Sequence, residues 1–179
     1  MKRFALTAIG KDKPGIVASV TGALFRHGCN IEDSSMTILE DEFAMILITS
    51  AKDDMDANAL NKELEEVGKK MSLAIHLKEI PIMEKAMPSP STHIVTVSGC
   101  DRPGIVHKTA SMLAEHGINI TDLSTRVLHG DGKNLYIMLI EVSMPETTDS
   151  KATEKALKAL GAGMDVKIDL KPIETCESL

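Results

Sequence analysis

Two short stretches of the sequence carry the residues best suited to bind a ligand, DKPGIV at 12–17 and DRPGIV at 101–106. Each opens a predicted helix, whose unpaired backbone N–H groups and partial positive charge favour a carboxylate. The carboxylates of Asp12 and Asp101 could hold an ammonium group, so each stretch suits the two ends of an α-amino acid. The alternative, that these aspartates only complement the helix dipole and help to cap the helix, stays open at this point.

A second repeated pattern, His-Gly-x-Asn-Ile, follows each of these helices, in HGCNIED and HGINITD. Asn30 and Asn119 could bond a ligand at the sheet edge, or they could satisfy the backbone of their own turn. The histidines before them, His27 and His116, are predicted to end the helices, where a partial positive charge interacts favourably with the dipole.

Residue types and spacings argue against an enzyme, a metal site or a bound cofactor. The six histidines include no metal-ligand spacing, and the sequence has no Gly-x-Ser-x-Gly, phosphate-loop or dinucleotide motif. The net charge of −6 and the four aromatic residues also disfavour direct binding of nucleic acid. Three scattered cysteines favour a reduced, cytoplasmic location, and apolar runs of six residues predict no membrane span.

The chain is a tandem repeat. Shifted by 89 residues, positions 10–39 match positions 99–128 without a gap, and 14 of the 30 pairs are identical. The second copy then has three extra residues if FAMILI is aligned with LYIMLI, and Asp131-Gly132 predicts a hairpin turn there. Pro and Ser residues between the copies indicate a linker at 83–92, which separates a domain at 1–82 from a domain at 93–179.

Each copy predicts the order βαββαβ, an α+β ferredoxin-like unit in which two helices cover one face of a four-stranded antiparallel sheet. In the first copy, Pro14 predicts the start of a helix and Gly28 its end. The predicted inward face of this helix consists of Ile16, Val17, Val20, Leu24 and His27. In the second copy the later helix is predicted to be short, Ser150 to about Leu160, and to end at Gly161 and Gly163.

This βαββαβ order, with an Asp-x-Pro-Gly-Ile-Val helix start and a Gly-x-Asn-Ile turn, resembles the ACT domain family across nearly the whole chain. Two such domains without an appended enzyme are similar to the glycine cleavage system transcriptional repressor family. The resemblance implies a ligand site between the first loop of one domain and the facing element of its partner. The residues that this implies as ligand-binding are Gly10, Asp12, Gly15, Asn30 and Ile31, with Gly99, Asp101, Gly104, Asn119 and Ile120 in the second copy.

The resemblance implies a non-enzymatic regulator that binds a small amino acid, glycine or serine, and a DNA-binding regulator of glycine and one-carbon metabolism genes. The alternative that it leaves is a regulatory subunit acting on an amino-acid metabolic enzyme. The uncovered sheet faces predict association, between the two halves, between chains or both, and we expect a homodimer. Asp12 and Asp101 stand where several amino-acid-binding members have Asn, and Cys100 stands where the first copy has Lys11, so the two sites need not be equivalent.

Overall fold

The computed structural model describes residues 1–82, 90–129 and 134–173, in two compact units divided between residues 86 and 87. Within these residues each unit has the predicted order βαββαβ. The first unit consists of β1 (Lys2–Lys11), α1 (Ile16–Arg26), β2 (Asn30–Leu39), β3 (Glu42–Ala51), α2 (Ala57–Met71) and β4 (Leu73–Ile80). The second consists of β5 (His93–Cys100), α3 (Ile105–Glu115), β6 (Asn119–His129), β7 (Asn134–Ser143), α4 (Ser150–Met164) and β8 (Val166–Pro172). Most of the predicted linker lies outside the described residues, so the domain boundaries stay a prediction.

Each unit contains one four-stranded antiparallel sheet, which confirms the predicted α+β ferredoxin-like fold. The strand order is β2-β3-β1-β4 in the first unit and β6-β7-β5-β8 in the second. Side chains alternate across β1, so Phe4, Leu6 and Ala8 are buried whereas Thr7 and Ile9 are exposed. The buried side chains of β1, β3, α1 and α2 belong to one apolar cluster, and the opposite sheet face carries exposed side chains.

The first helix follows the predicted period, with one correction to its inward face. Ile16, Val20, Ala23 and Leu24 are buried, but Val17 is 42% exposed. Each helical residue advances by about 100°, so Val17 lies at the margin of the face that Ile16 and Val20 share. The helix ends as predicted, because its cap is His27 and the next residue, Gly28, has a φ of 67°.

The last helix, α4, is longer than predicted, because Gly161 lies inside it rather than at its end. A Cβ atom on Gly161 would lie 2.6 Å from the carbonyl oxygen of Val166, so the missing side chain lets the helix approach β8 closely. The helix continues to Met164 and ends at Asp165, which has a φ of 57°. Close packing against the sheet therefore outweighs the low helix propensity of glycine here.

The pairing of the strands also corrects the alignment of the two copies. Gly10 pairs with Phe43, and its counterpart Gly99 pairs with Tyr136, so the hairpin insertion is four residues rather than three. Successive side chains point to opposite faces of a strand, and an insertion of three would place Tyr136 on the outer face. Tyr136 is instead buried like Phe43. The predicted turn at Asp131-Gly132 lies outside the described residues.

Two buried threonines have no hydrogen-bond partner for their hydroxyl groups, Thr49 on β3 and Thr109 on α3. In each case the other copy has a buried valine at the equivalent position, Val142 for Thr49 and Val20 for Thr109. A buried hydroxyl without a partner costs about 1–3 kcal/mol, whereas valine has nearly the same shape and no polar atom.

We therefore expect Thr109→Val to raise the free energy of unfolding by about 1 kcal/mol in urea denaturation. The reverse exchange in the first unit, Val20→Thr, is the matched control and should lower it by a similar amount. A destabilised Thr109→Val variant would show that the hydroxyl has a partner in solution.

Candidate functional site

The loop between β1 and α1 holds the first predicted site, and the β5–α3 loop holds the second. Both loops enter their helices with the same backbone, because Gly15 and Gly104 are the N-caps, with φ of 94° and 95°. Glycine adopts this left-handed conformation at little cost, which explains its presence at both positions. The N–H of Asp12 donates to the carbonyl of Asp41 over 2.8 Å, which fastens the first loop to the β2–β3 turn.

Neither helix start is capped by a side-chain hydrogen bond, whereas the alternative that the two aspartates complement the helix dipole stays open. Asp12 and Asp101 are exposed, and no side chain bonds the N-terminal N–H groups of α1 or α3. The hydroxyl of Ser19 donates to the carbonyl of Gly15 over 2.8 Å, which occupies none of these N–H groups. The first N–H groups of both helices therefore remain available to an anion.

The glycines that end β1 and β5 have a packing role in addition to any contact with a ligand. A Cβ on Gly10 would lie 2.6 Å from the carbonyl oxygen of Ser72, at the turn between α2 and β4. A Cβ on Gly99 would lie 2.8 Å from Cγ1 of Val166, at the start of β8. Each glycine thus lets the start of the last strand lie against the end of the first strand of its unit.

Asp101 lies close enough to Tyr136 for its charge to act on the phenol. Burial raises the pKa of Tyr136, and the negative charge of Asp101 raises it further. The phenolic O–H of Tyr136 donates to Sδ of Met138 over 3.6 Å. Phe43 occupies the equivalent place in the first unit, so only the second loop stands beside a polar aromatic side chain.

The predicted asparagines lie at the other end of each sheet from the loops. Asn30 pairs with Ser50, which pairs with Arg3 near the start of β1, whereas the loop follows Lys11 at its end. At about 3.3 Å per residue, Arg3 and Lys11 are separated by about 26 Å along the strand. Within one unit, the structure therefore does not bring Asn30 and Ile31 to the loop.

The second unit shows the same separation. Asn119 pairs with Ser143 at one end of the sheet, while Cys100, next to the loop, pairs with Leu135 at the other. Asn119 is exposed and Ile120 is partly buried. Neither unit by itself therefore brings its loop and its Asn-Ile pair together.

The charged surroundings of the second loop were not predicted from the sequence. Nη2 of Arg102 lies 2.9 Å from Oδ2 of Asp165. Asp165 is the C-cap residue of α4. These residues are 63 positions apart, so neither spacing nor periodicity could indicate their contact. The only signal was the difference between the loops, DRPGIV rather than DKPGIV.

Across residues 1–82, 90–129 and 134–173, no three side chains of His, Cys, Asp or Glu are grouped so that they could hold a metal ion. A helix long and apolar enough to cross a bilayer is also absent from this part of the chain. The predicted cytoplasmic location stays a prediction.

Comparison with known proteins gives the same two-domain division. An ACT domain model matches residues 2–78 and 91–171. The glycine cleavage system transcriptional repressor of Escherichia coli K12 is 29% identical over 159 residues, which cover 88% of this chain and 83% of that protein. A UPF0237 protein of Streptococcus pneumoniae is 37% identical over 79 residues, 44% of this chain and 90% of its own.

A solved structure of an unknown protein from Galdieria sulphuraria is similar to nearly the whole chain. Its TM-score is 0.78 with 27% sequence identity, over 97% of this chain and 99% of that one. The sequence relative and the structural relative each therefore match most of this chain, 88% and 97% of it.

The steric role of the strand-end glycines can be tested without any ligand. Gly10→Ala should lower the free energy of unfolding by about 1–3 kcal/mol in urea denaturation, because the new methyl group overlaps the carbonyl of Ser72. Gly163→Ala is the control, since no atom lies within 4 Å of the added Cβ and the change favours the helix by about 1 kcal/mol. Equal stability of Gly10→Ala and the unmodified protein would contradict the close approach.

Proposed function

The chain belongs to the ACT domain family, and on this premise we propose that it is a non-enzymatic regulator that responds to a small amino acid, glycine or serine. A regulatory role is supported by the match to the Escherichia coli repressor, which covers 88% of this chain. The observation that carries the amino-acid ligand is the pair of glycine-capped helix starts, each with free N–H groups and an exposed aspartate nearby.

In this proposal the helix start binds the ligand carboxylate, and Asp12 or Asp101 binds its ammonium group. The carboxylate accepts backbone N–H bonds at the positive end of the helix dipole. The φ of 94° at Gly15 and 95° at Gly104 gives both loops the same backbone at the point of binding. Gly10 and Gly99 support the loops from the strand side.

We propose further that Asn30 and Ile31, with Asn119 and Ile120 in the second unit, contact a ligand held by the loop of another domain. Their position at the far end of the sheet supports this arrangement over a site within one unit. Association is favoured by apolar side chains on the outer sheet faces, among them Ile46, 46% exposed, and Leu139, 38% exposed. A homodimer would cover such faces and bring the two half-sites together.

The regulator acts on transcription through a DNA-binding partner rather than by touching DNA. The net charge of −6 opposes contact with a phosphate backbone. An amino acid that binds the partner-bound and free states unequally would shift the balance between them. The second candidate is a regulatory subunit of an amino-acid metabolic enzyme, which the ACT domains support equally well.

Ligand binding is testable by calorimetry and thermal unfolding with glycine and serine at millimolar concentration. At about 100 times its Kd, a ligand should stabilise the folded protein by about 2.7 kcal/mol. We expect the double variant Asp12→Ala/Asp101→Ala to lose most of this gain. Both side chains are exposed and no hydrogen bond of theirs is broken, so the fold should be unaffected.

The matched control is Asp54→Ala, an exposed aspartate outside both loops, which should bind like the unmodified protein. Full binding by the double variant would show that the aspartates do not contact the ligand. The absence of heat and of stabilisation with every amino acid would refute the amino-acid response as a whole.

The two candidate functions differ in the partner that they require. Affinity purification of the tagged chain from its own cells should recover a DNA-binding protein, and the amount recovered should change when glycine or serine is added. Recovery of an amino-acid metabolic enzyme instead, with its activity altered by the purified chain, would favour the second candidate.

A further inference from the structure

The Asn-Ile pair of each unit lies directly before a β-bulge. The register of β2 against β3 shifts by one residue between Ile31 and Asp33, so Glu32 is an extra residue in the strand. The register of β6 against β7 shifts in the same way around Thr121, the residue after Ile120. A bulge interrupts the ladder of backbone hydrogen bonds and changes the direction of the neighbouring side chains. The orientation of each Asn-Ile pair therefore depends on what holds the bulge.

The strand that carries the bulge of the first unit lies at the edge of its sheet. It pairs with β3 alone, in the order β2-β3-β1-β4, so the ladder supports it from one side only. All ten residues of β2 are exposed, and the Asn-Ile pair is the first two of them. Strand ends with few buried contacts open readily. Burial within the unit therefore does not fix the orientation of the bulge, which leaves side-chain contacts.

In the first unit this contact is an ion pair between the start of β1 and the bulge. Nε and Nη2 of Arg3 lie 3.0 and 2.9 Å from the same oxygen, Oε2 of Glu32. Arg3 pairs with Ser50, which pairs with Asn30, so the guanidinium group reaches across β3, with strands about 4.8 Å apart. Ser50 is only 7% exposed on a sheet face that is otherwise open, as expected if the arginine lies across it.

In the second unit the bulge is held by two hydroxyl groups. Thr92 stands at the position of Arg3, but a threonine is too short to reach across β7, and its hydroxyl accepts the N–H of the residue after β7 over 2.9 Å. Ser91, one residue earlier, meets the bulge instead, with its Oγ 2.7 Å from Oγ1 of Thr121. Ser91 belongs to the predicted linker. The linker therefore ends in a contact with the element that carries the second Asn-Ile pair.

The two units thus hold the same bulge with different chemistry. Thr121 stands at the position of Glu32, and neither Arg3 nor its charge has a counterpart at the start of β5. Exchange of one partner alone would leave a charge without its counterpart, whereas here both partners differ together. A contact to the bulge is therefore common to the two domains, although the residues that form it are not.

We propose that Arg3 and Glu32 in the first domain, and Ser91 and Thr121 in the second, are positioning residues that orient the Asn-Ile pair toward a ligand without touching it. The proposal rests on the ligand contact proposed above for the Asn-Ile pairs and names what fixes their orientation. It also gives the linker a role in the second domain. A change in the linker that moves Ser91 alters the affinity at the second Asn-Ile pair, and by reciprocity binding there alters the linker.

A double-mutant cycle on Arg3 and Glu32 tests the first contact, with the affinity for glycine and for serine measured by calorimetry. Arg3→Met keeps the length of the side chain but removes its donors, and Glu32→Ala removes the acceptor. Each variant should weaken the site that Asn30 and Ile31 complete by about threefold to fivefold, the range of a partly exposed ion pair. The double variant should be no weaker than either single variant, because all three lose the same contact.

The corresponding variants of the second unit are Ser91→Ala and Thr121→Val, each of which removes one hydroxyl group. They should weaken the site that Asn119 and Ile120 complete by a similar factor and leave the other site unchanged. Arg3→Lys keeps a cation at the start of β1 and should retain most of the affinity of the first site.

Two control variants lose a comparable contact elsewhere. Lys158→Met removes the exposed ion pair of Lys158 with Glu154 and changes the net charge by the same amount as Arg3→Met. Ser111→Ala removes a hydroxyl group that contacts His107 of its own helix. Both controls should bind like the unmodified protein. Controls and positioning variants should all melt within about 3 °C of it, because exposed contacts contribute little to global stability.

Amide NMR signals assign each effect to its domain. Ligand-induced shifts of the first Asn-Ile pair should be reduced in Arg3→Met while those of the second pair persist, and Ser91→Ala should give the opposite result. Affinity that is unchanged in the four positioning variants, or that the controls reduce equally, overturns the positioning role while the proposed function stands. Absence of any amino-acid binding overturns both.

Discussion

The structure depends on a close backbone approach at the end of the first strand of each domain. At Gly10 and at Gly99 there is no room for a side chain, because the turn that begins the last strand lies against the glycine. This contact joins the strand that leads into the loop to the helix end that precedes the last strand. The helix start and the end of the other helix therefore meet at one edge of the domain. The N–H groups at each helix start are open because the N-cap there is a glycine, which has no side chain to bond them.

The fold was largely predictable because its signals are local. Apolar periodicity, the glycines after α1 and α3, and the repeated loop each report on a few neighbouring residues, and together they specify βαββαβ twice. Two predictions from the sequence were wrong because they depended on contacts between residues far apart in the chain. FAMILI resembles LYIMLI both when the two are aligned end to end and when they are shifted by one residue. Only the pairing of Gly10 with Phe43 and of Gly99 with Tyr136 shows that the shifted alignment is correct. Gly161 resembles a helix end, and only its contact with Val166 shows why it is tolerated inside α4.

The candidate site was predictable in part. The duplication singled out the loops, and the structure gives both the same left-handed glycine and no side-chain cap. The distance between Asn30 and the loop is set by the pairing of the strands. The repeated motif carries no information about that pairing. The contact of Arg102 with Asp165 joins residues that are 63 positions apart in the sequence. Duplication thus preserved the loop backbone, while exchanges behind it made the two domains different.

The central claim is that a small amino acid binds at these glycine-capped helix starts. A crystal structure of the protein grown with glycine or serine tests it most directly. The account predicts a bound amino acid with its carboxylate oxygens within about 3 Å of nitrogen atoms at the α3 or α1 start. An amino acid found only at another place, or clear density for both loops with no ligand at saturating concentration, would contradict it.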